Sequence, residues 1–391
     1  MNKTEIALLE AIKASLFDYS PNYPDDVNWN EVVKEAKAQT VMGIVSPVIP
    51  ITDEITKLVI RNYIQILYEQ DKLIKLLFEN NIPCVILKGS AAALYYPKPH
   101  LRAMGDVDIL VPHKTITISS SLLEMNGYTY LHGREENGEL IKNERNIVYE
   151  KNGIVFELHY RFSSQGYDID DILEKAILKR EYQKVDSYSI PMLPEIENGL
   201  VLLGHINQHL NTNDLGLRQI LDWMMYFHKV MDSDKWHREF APLAEKAGLK
   251  ALAVYVTTMC EKYLGLPHSV DFGEMINENR IDELFDIILS NGNFGRKAMA
   301  QISNDEIKLK DSIYQIKKEG FFRHFQKLGL GTWSLCKKYP LLKPFAWIYG
   351  IVRHTVRGGK TFIKSKNLKK HINEASRRES LFNEIGVKSK R

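Results

Sequence analysis

Three features of the 391-residue sequence predict an α+β protein. A short β-branched run, "PCVILKG" at 83–89, and a second strand, "DVDILVP" at 106–112, are followed by two alternating runs in "NIVYEKNGIVFELHYRF" at 146–162. Together they describe a mixed sheet with flanking helices. From about Glu195 the text turns almost wholly helical, which adds an all-helical domain and, after it, a basic C-terminal tail. At 44% hydrophobic and 26% charged residues, the chain has enough apolar side chain for two or three packed units and is not disordered as a whole.

Taken in order, residues 4–17 and 29–40 show helical spacing and are separated by "SPNYPDD". After the break "SPVIPITDEI", Thr52 to Asn80 carries Ile60, Ile64, Leu67, Ile74 and Leu77 on a helical period, giving one long amphipathic helix that ends ahead of Pro83. The strand at 83–89 closes on a glycine, and "SAAALYY" opens a short helix at that turn. A proline-rich loop, "PKPHLRAMG", leads to the strand at 106–112; "TITISSSLLEMNG" reads as a helix ending at Gly127, and "KNG" joins the last two strands as a hairpin. Four helical patterns follow, "IENGLVLLGHINQHL", "GLRQILDWMMYFHKV", "FAPLAEKAGLKALAVYVTTMCEKYLG" and "RIDELFDIILS", and nothing repeats at a fixed period.

Composition narrows the function classes. Cys84, Cys260 and Cys336 lie far apart and form no CxxC pair, so no disulfide framework or zinc-cysteine site is indicated and a reducing, cytoplasmic setting is expected. The start, "MNKTEIALLEAIKASLF", mixes charges on a helical period and has no signal-peptide core. No stretch approaches the roughly 18 to 20 apolar residues of a membrane span, the nearest being "PFAWIYGIV". Net charge is +3, but it is divided unevenly. Residues 311–391 hold 19 Lys plus Arg against 5 Asp plus Glu, and residues 1–310 hold 33 against 44. A basic tail on an acidic body suits contact with phosphates, in nucleic acid, anionic lipid or a phosphorylated substrate.

The chemistry begins with two aspartates in an apolar strand. Strand side chains alternate, so Asp106, Asp108 and Leu110 share one face while Val107, Ile109 and Val111 share the core face. The aspartate Cα atoms then lie about 6.6 Å apart, within reach of one hard cation. Upstream, Gly89 and Ser90 stand between a strand and a helix, an arrangement that aims backbone N–H groups at an anion. Downstream, Ile154, Phe156, Leu158 and Tyr160 alternate inward, which leaves Glu157 on the opposite face with Val155 and His159. A third carboxylate in an apolar strand is expensive unless it is paired or metal-bound. There is no GxxxxGK[ST] P-loop.

Gly-Ser opening a helix, Asp-Val-Asp-Ile on a strand and Phe-Glu-Leu on a later strand resemble the DNA polymerase beta-like nucleotidyltransferase superfamily. More closely, "LKGSAAALYYPKPHLRAMGDVDILV" with "FELHYRF" and "LGHINQHLNTNDLGLRQILDW" is similar to its bacterial, uncharacterised nucleotidyltransferase family. The likeness is specific over Ile86 to Phe162 and looser to about Trp223. One departure is the spacing between Ser90 and Asp106, slightly long and carrying Pro97 and Pro99. The resemblance implies a polymerase-beta-like sheet, two Mg²⁺ ions held by Asp106, Asp108 and Glu157, and a triphosphate held by Gly89 and Ser90. Such ions, about 4 Å apart, neutralise the triphosphate and the departing pyrophosphate. Glu157 would help deprotonate the attacking hydroxyl, and Lys88 and Arg102 would offset phosphate charge. The expected organisation is N-terminal helices packing on the core over residues 1–80, the nucleotidyltransferase domain over 81–190, the helical domain over 191–310 and the basic aromatic tail over 311–391.

The expected activity is transfer of an NMP from an NTP onto a hydroxyl of an acceptor, anionic or otherwise, drawn from small molecules, saccharides, peptides and RNA. Two alternatives stand beside it: a DxD nucleotide-sugar glycosyltransferase, which explains the aspartates but neither Gly-Ser nor Glu157, and a catalytically silent nucleotide-binding protein, disfavoured by the intact acidic triad. His205 and His209 in "HINQH" have metal spacing, but Ile206 stands where a zinc peptidase needs glutamate, so they read as core or acceptor-site histidines. Arg218 and Asp222, four apart, suit an intrahelical ion pair, and Arg218 alternatively faces the nucleotide. In the tail, Trp333, Tyr339, Phe345, Trp347 and Tyr349 alternate with Lys337, Lys338, Lys343, Arg353 and Arg357. That mixture suits an anionic bilayer surface, single-stranded RNA, or aromatics packed back on the protein with a positive face at the active-site cleft. Pro340 and Pro344 interrupt any long amphipathic helix and favour packing. Ending the chain near residue 365 is expected to be harmless, whereas ending it near 330 is expected to destabilise the helical domain; calorimetry of the two truncations checks this.

Overall fold

The computed structural model describes residues 1–50, 54–133, 145–162, 169–185, 187–274, 276–293, 316, 320–333, 335–336, 339–353 and 368–387. It divides into two compact units, Met1–Phe294 with Gly386–Arg391, and Gly295–Ile385.

The first unit opens with helices whose ends are written in the sequence. In α1 (Lys3–Phe17), Asn2 Oδ1 accepts from the Glu5 N–H and Glu5 accepts from the Asn2 N–H, a reciprocal cap. Asn28 caps α2 (Trp29–Ala38) by accepting from two N–H groups, and the short α3 (Met42–Val45) leads to α4 (Glu54–Glu79). The buried stripe of α4 runs through Tyr63, Ile66, Leu67, Leu73, Ile74 and Leu77, so it is rotated from the simple apolar count: Ile64 is 56% exposed, and Gln70 takes an inner position.

A five-stranded mixed sheet follows, ordered β1-β2-β5-β4-β3. Strand β1 keeps only Val85–Ile86, paired antiparallel to β2 (Asp106–Leu110). Helix α5 is Gly89–Ala93. After α6 (Ile116–Met125) come β3 (Thr129–His132), β4 (Asn146–Lys151) and β5 (Ile154–His159). The β4–β5 hairpin closes with Lys151 opposite Ile154, and its two turn residues, Asn152 and Gly153, both have positive φ, as the tight turn of a right-twisted hairpin requires. Strand β5 then lies parallel to β2. The elements α7 (Ile169–Ala176) and the separate hairpin β6 (Glu181–Val185) and β7 (Tyr188–Met192) had no clear sequence signal. Four of the five β6 residues are exposed, so its pattern lacks an apolar face.

The helical region is built on α8 (Glu195–Thr212) and α9 (Leu217–Val230), both buried on nearly every side, with α10 (Ser233–Lys235), α11 (Ala241–Lys246), α12 (Lys250–Leu264) and α13 (Glu278–Asn291) around them. Helices α8 and α9 bury polar side chains as well, Asn198, Asn207, Arg218, Gln219 and Asp222 among them. Trp223, Tyr226, Phe227, Trp236 and Phe240 form the aromatic centre of the region, with Trp223 Nε1 donating to Thr257 Oγ1 at 3.0 Å. Gln39 ties the N-terminal helices to this region by accepting from the Leu217 N–H at 3.0 Å and donating to the Leu289 carbonyl at 3.3 Å.

The second unit contains a helix at Phe321–Thr332 and a 3₁₀ turn at Pro340–Phe345, with Trp333 stacked on Tyr349 and Phe322 edge-on to Trp347. Lys337, Lys338 and Arg357 of the basic pattern lie outside the described residues.

Within α8, Gly199 touches the Tyr226 ring so closely that an added Cβ would overlap it. Gly199→Ala is therefore expected to lower stability by about 1–3 kcal/mol through overpacking, measured by urea denaturation.

Candidate active site

The parallel β2–β5 ladder sets Asp108 opposite Glu157, Asp106 opposite Val155 and Leu110 opposite His159. Residues abreast in a ladder share a face, so Asp106, Asp108, Glu157 and His159 all stand on one side of the sheet. Behind them Val107, Ile109, Phe156 and Leu158 are buried in the core. The expected pattern of faces is realised.

These carboxylates form the floor of a cleft of about 210 Å³. Lys88 and Gly89 enter it from the β1–α5 turn, Arg102, Met104 and Gly105 from the loop before β2, and Arg145 from the residue before β4. His205 and His209 of α8 and Arg218 of α9 complete the lining. Gly89 has φ +49°, a left-handed conformation that favours glycine and turns the chain from β1 into α5. Because α5 has five residues, any anion binding at this turn depends on individual N–H groups and little on a helix dipole.

Asp108 is the most engaged of the acids. Lys88 Nζ lies 2.6 Å from Asp108 Oδ1, and His159 Nε2 lies 3.0 Å from the same oxygen and 3.1 Å from Glu157 Oε2. Glu157 Oε2 also accepts from Asn146 Nδ2 at 2.7 Å. Burial acts to raise the Asp108 carboxyl, but the Lys88 ammonium and the His159 hydrogen bond outweigh it and hold Asp108 well below the usual carboxylate range. Glu157 is lowered in the same way, its burial being outweighed chiefly by the His159 hydrogen bond. Asp106 moves up, first because Asp108 is beside it and then because it is buried. Asp106 and Asp108 therefore crowd like charge on one face, a repulsion that a divalent cation relieves.

The donor set fits a hard cation: Asp106, Asp108 and Glu157 offer oxygen, and Asp108, Glu157 and His159 can bring one ligand atom each within 4.8 Å of one another. His159 has a different part. A metal-ligating imidazole normally donates its second N–H to an acceptor. His159 Nδ1 is buried without a hydrogen-bond partner among the described residues. The ring is better suited to donate from Nε2 to both carboxylates and fix their orientation. Asn146 sits directly opposite it across the β4–β5 ladder.

Ser90 and Arg102 each have a partner within the protein. The Ser90 hydroxyl is buried and donates to Gln70 Oε1 on α4 at 2.7 Å, so it braces the turn from behind. Arg102 borders the cleft, but its fork is engaged with Asp222: Nε donates to Oδ1 at 2.7 Å and Nη2 to Oδ2 at 2.6 Å, with both side chains 2% exposed. Tyr96 adds a third hydrogen bond to Asp222 at 2.8 Å. The bidentate pair of Asp222 thus runs across to the sheet loop, while Arg218 Nη1 donates to the Ala103 carbonyl at 3.4 Å. Arg145, which donates to Gln208, carried no sequence signal. His159 and Asn146 were legible only through strand alternation and hairpin register.

Residues 25–265 match the family described as uncharacterised nucleotidyltransferase. That is more than half of the chain, and the chain belongs to this family. It is a transferase of the nucleotidyltransferase class. No curated protein matches it. Among solved structures, ANT(2'')-Ia in complex with adenylyl-2''-tobramycin is similar at 11% identity and a TM-score of 0.31 over 48% of this chain and 96% of that one. The solution structure of the antibiotic-resistance factor ANT(2'')-Ia gives 11% and 0.30 over 51% and 93%. An antigenic nucleotidyltransferase-like protein from Paracoccidioides brasiliensis gives 16% and 0.34 over 52% and 94%. The likeness to all three is distant.

Removing one member of the Arg102–Asp222 pair leaves a buried charge unpaired. Asp222→Ala is expected to cost about 3–5 kcal/mol of stability, and the double change Arg102→Met with Asp222→Leu much less, as read by chemical denaturation.

Proposed function

We propose that this protein moves a nucleoside monophosphate from an NTP onto a hydroxyl of its acceptor in a Mg²⁺-dependent reaction. The observation that carries the reading is the register of β2 against β5, which brings Glu157 abreast of Asp108 on the floor of a cleft whose walls include Lys88, Arg145 and Arg218. Asp106, Asp108 and Glu157 hold the metal. Bound divalent ions supply charge neutralisation for the triphosphate and the departing pyrophosphate.

The chain's own groups do the rest. Lys88, Arg145 and Arg218 meet phosphate oxygens from three sides, and the Gly89 turn lets backbone approach the same anion. Arg102 acts chiefly by fixing the loop that carries Met104 and Gly105, since Nε and Nη2 donate to Asp222 and Nη1 donates to the Ala103 carbonyl at 3.2 Å. Ser90 contributes through its backbone, because its hydroxyl is occupied by Gln70. Within the first unit, the sheet and its flanking helices serve the nucleotide, and the helices that follow β7, α8 and α9 above all, shape the acceptor side. A cytoplasmic setting accords with three buried free cysteines; among the described residues, no helix is long and apolar enough to cross a membrane.

The test is to supply purified protein with Mg²⁺, each NTP in turn and a cell extract, then follow pyrophosphate release and label transfer. Transfer of a sugar from a nucleotide sugar, with no pyrophosphate, would support the glycosyltransferase alternative, and silence with every donor would support a binding protein. Asp106→Asn and Asp108→Asn are each expected to slow transfer at least 100-fold, about 2.7 kcal/mol, with the far-UV circular dichroism unchanged. Retention of more than about a tenth of the rate would remove them from the metal site.

A further inference from the structure

His205 and His209 stand one turn apart on α8 and line the same cleft as the three carboxylates. Their Nε2 atoms are 2.7 Å apart, and His209 Nδ1 is 2.7 Å from Asp214 Oδ1. Asp214 also accepts from Thr212 Oγ1 at 2.5 Å. Burial raises the Asp214 carboxyl, but the His209 hydrogen bond outweighs it and lowers it overall. An ionised carboxylate can only accept, so His209 Nδ1 carries the proton it donates. In neutral His209, Nε2 is then the acceptor, and the single proton between the two rings belongs to His205 Nε2. His205 is neutral because burial, and next the nearby Lys88, push it well below its ordinary value. Its remaining lone pair is on Nδ1.

The chain Asp214, His209, His205 therefore ends in an unprotonated nitrogen on a residue that lines the reaction cleft. Glu157, the other candidate base, is less available: its Oε2 accepts from both Asn146 and His159. The charges around His205 explain why it has a partner. Lys88, Arg145 and Arg218 all disfavour positive charge on its ring, as does His209 when protonated. A proton taken up there is better held one residue further away, against Asp214.

We propose, building on the transfer reading above, that His205 accepts the proton of the attacking hydroxyl and that His209 and Asp214 are positioning residues that take over its charge. As the hydroxyl oxygen bonds to the α-phosphorus, its proton passes to His205 Nδ1 and the His205 Nε2 proton moves to His209 Nε2. The bond from the α-phosphorus to the bridging oxygen breaks, and its electron pair leaves with pyrophosphate. His209, then carrying two protons, is paired with the Asp214 carboxylate.

Two measurements on the full chain test this. In ¹⁵N-histidine-labelled protein, long-range ¹H–¹⁵N correlation is expected to find His209 protonated on Nδ1 and His205 on Nε2; His205 protonated on Nδ1, or neutral His209 protonated on Nε2, overturns the relay whatever the activity. The second is pyrophosphate release with Mg²⁺, the fastest of the four NTPs and molar glycerol as probe hydroxyl. His205→Gln is expected to lower kcat about 100-fold with the KM for NTP within about twofold. Asp214→Asn should lower kcat about tenfold with the KM for NTP unchanged, because it removes the carboxylate that holds the His209 Nδ1 proton. If His205→Gln stays within threefold of the unmodified protein while Asp106→Asn is inactive, the relay is wrong and the transfer reading stands. If both variants keep full rate, the transfer reading itself fails.

Discussion

The parallel pairing of β2 with β5 is the constraint around which the first unit is arranged. A slip of one residue would turn Glu157 toward the core and bring Leu158 to the cleft floor. Holding the register requires a long crossover from β2, through α6, β3 and β4, before the chain returns beside the strand it left. Correct pairing concentrates three carboxylates on one face. Lys88, His159 and Asn146 are the groups that make this concentration tolerable, each placed by an adjacent element.

The cleft needs a second wall, and the Arg102–Asp222 pair fixes where it stands. A guanidinium and a carboxylate that are both out of water are held only if their geometry is good, and two parallel hydrogen bonds with a third from Tyr96 supply it. The pair joins the loop before β2 to α9, and α9 brings Arg218 to the cleft. Arg102 looked from the sequence like a phosphate ligand because it precedes the aspartates. Its partner, 120 residues away, could not be inferred from spacing.

What the sequence revealed, and what it withheld, follows from how local each signal was. Alternation alone put Asp106 and Asp108 on one face and Glu157 opposite the core side chains of its own strand. The asparagine and glycine after Lys151 announced the hairpin that sets their neighbour. The edge strand β3 escaped notice because its short "TYLH" is largely exposed and has no apolar face, and β6 for the same reason. The acidic triad was legible because strand geometry is periodic. The bond of the Ser90 hydroxyl lay beyond local reading, because its partner, Gln70, is in a helix that precedes it by 20 residues. Histidines four apart were visible as a pair, but the carboxylate that orders them lies past the end of α8, where helical periodicity stops.

The rims of the sheet carry a consequence for assembly. One edge is a strand of two residues, too short to template pairing with a further chain, with β7 packed nearby. At the other edge, the β3–β4 register shifts between Tyr130 and His132, which interrupts the even row of backbone donors and acceptors that an incoming strand would need. Neither rim invites growth by strand addition. The five-stranded sheet, with its line of acidic side chains, is thereby a poor template for polymerisation along its edges.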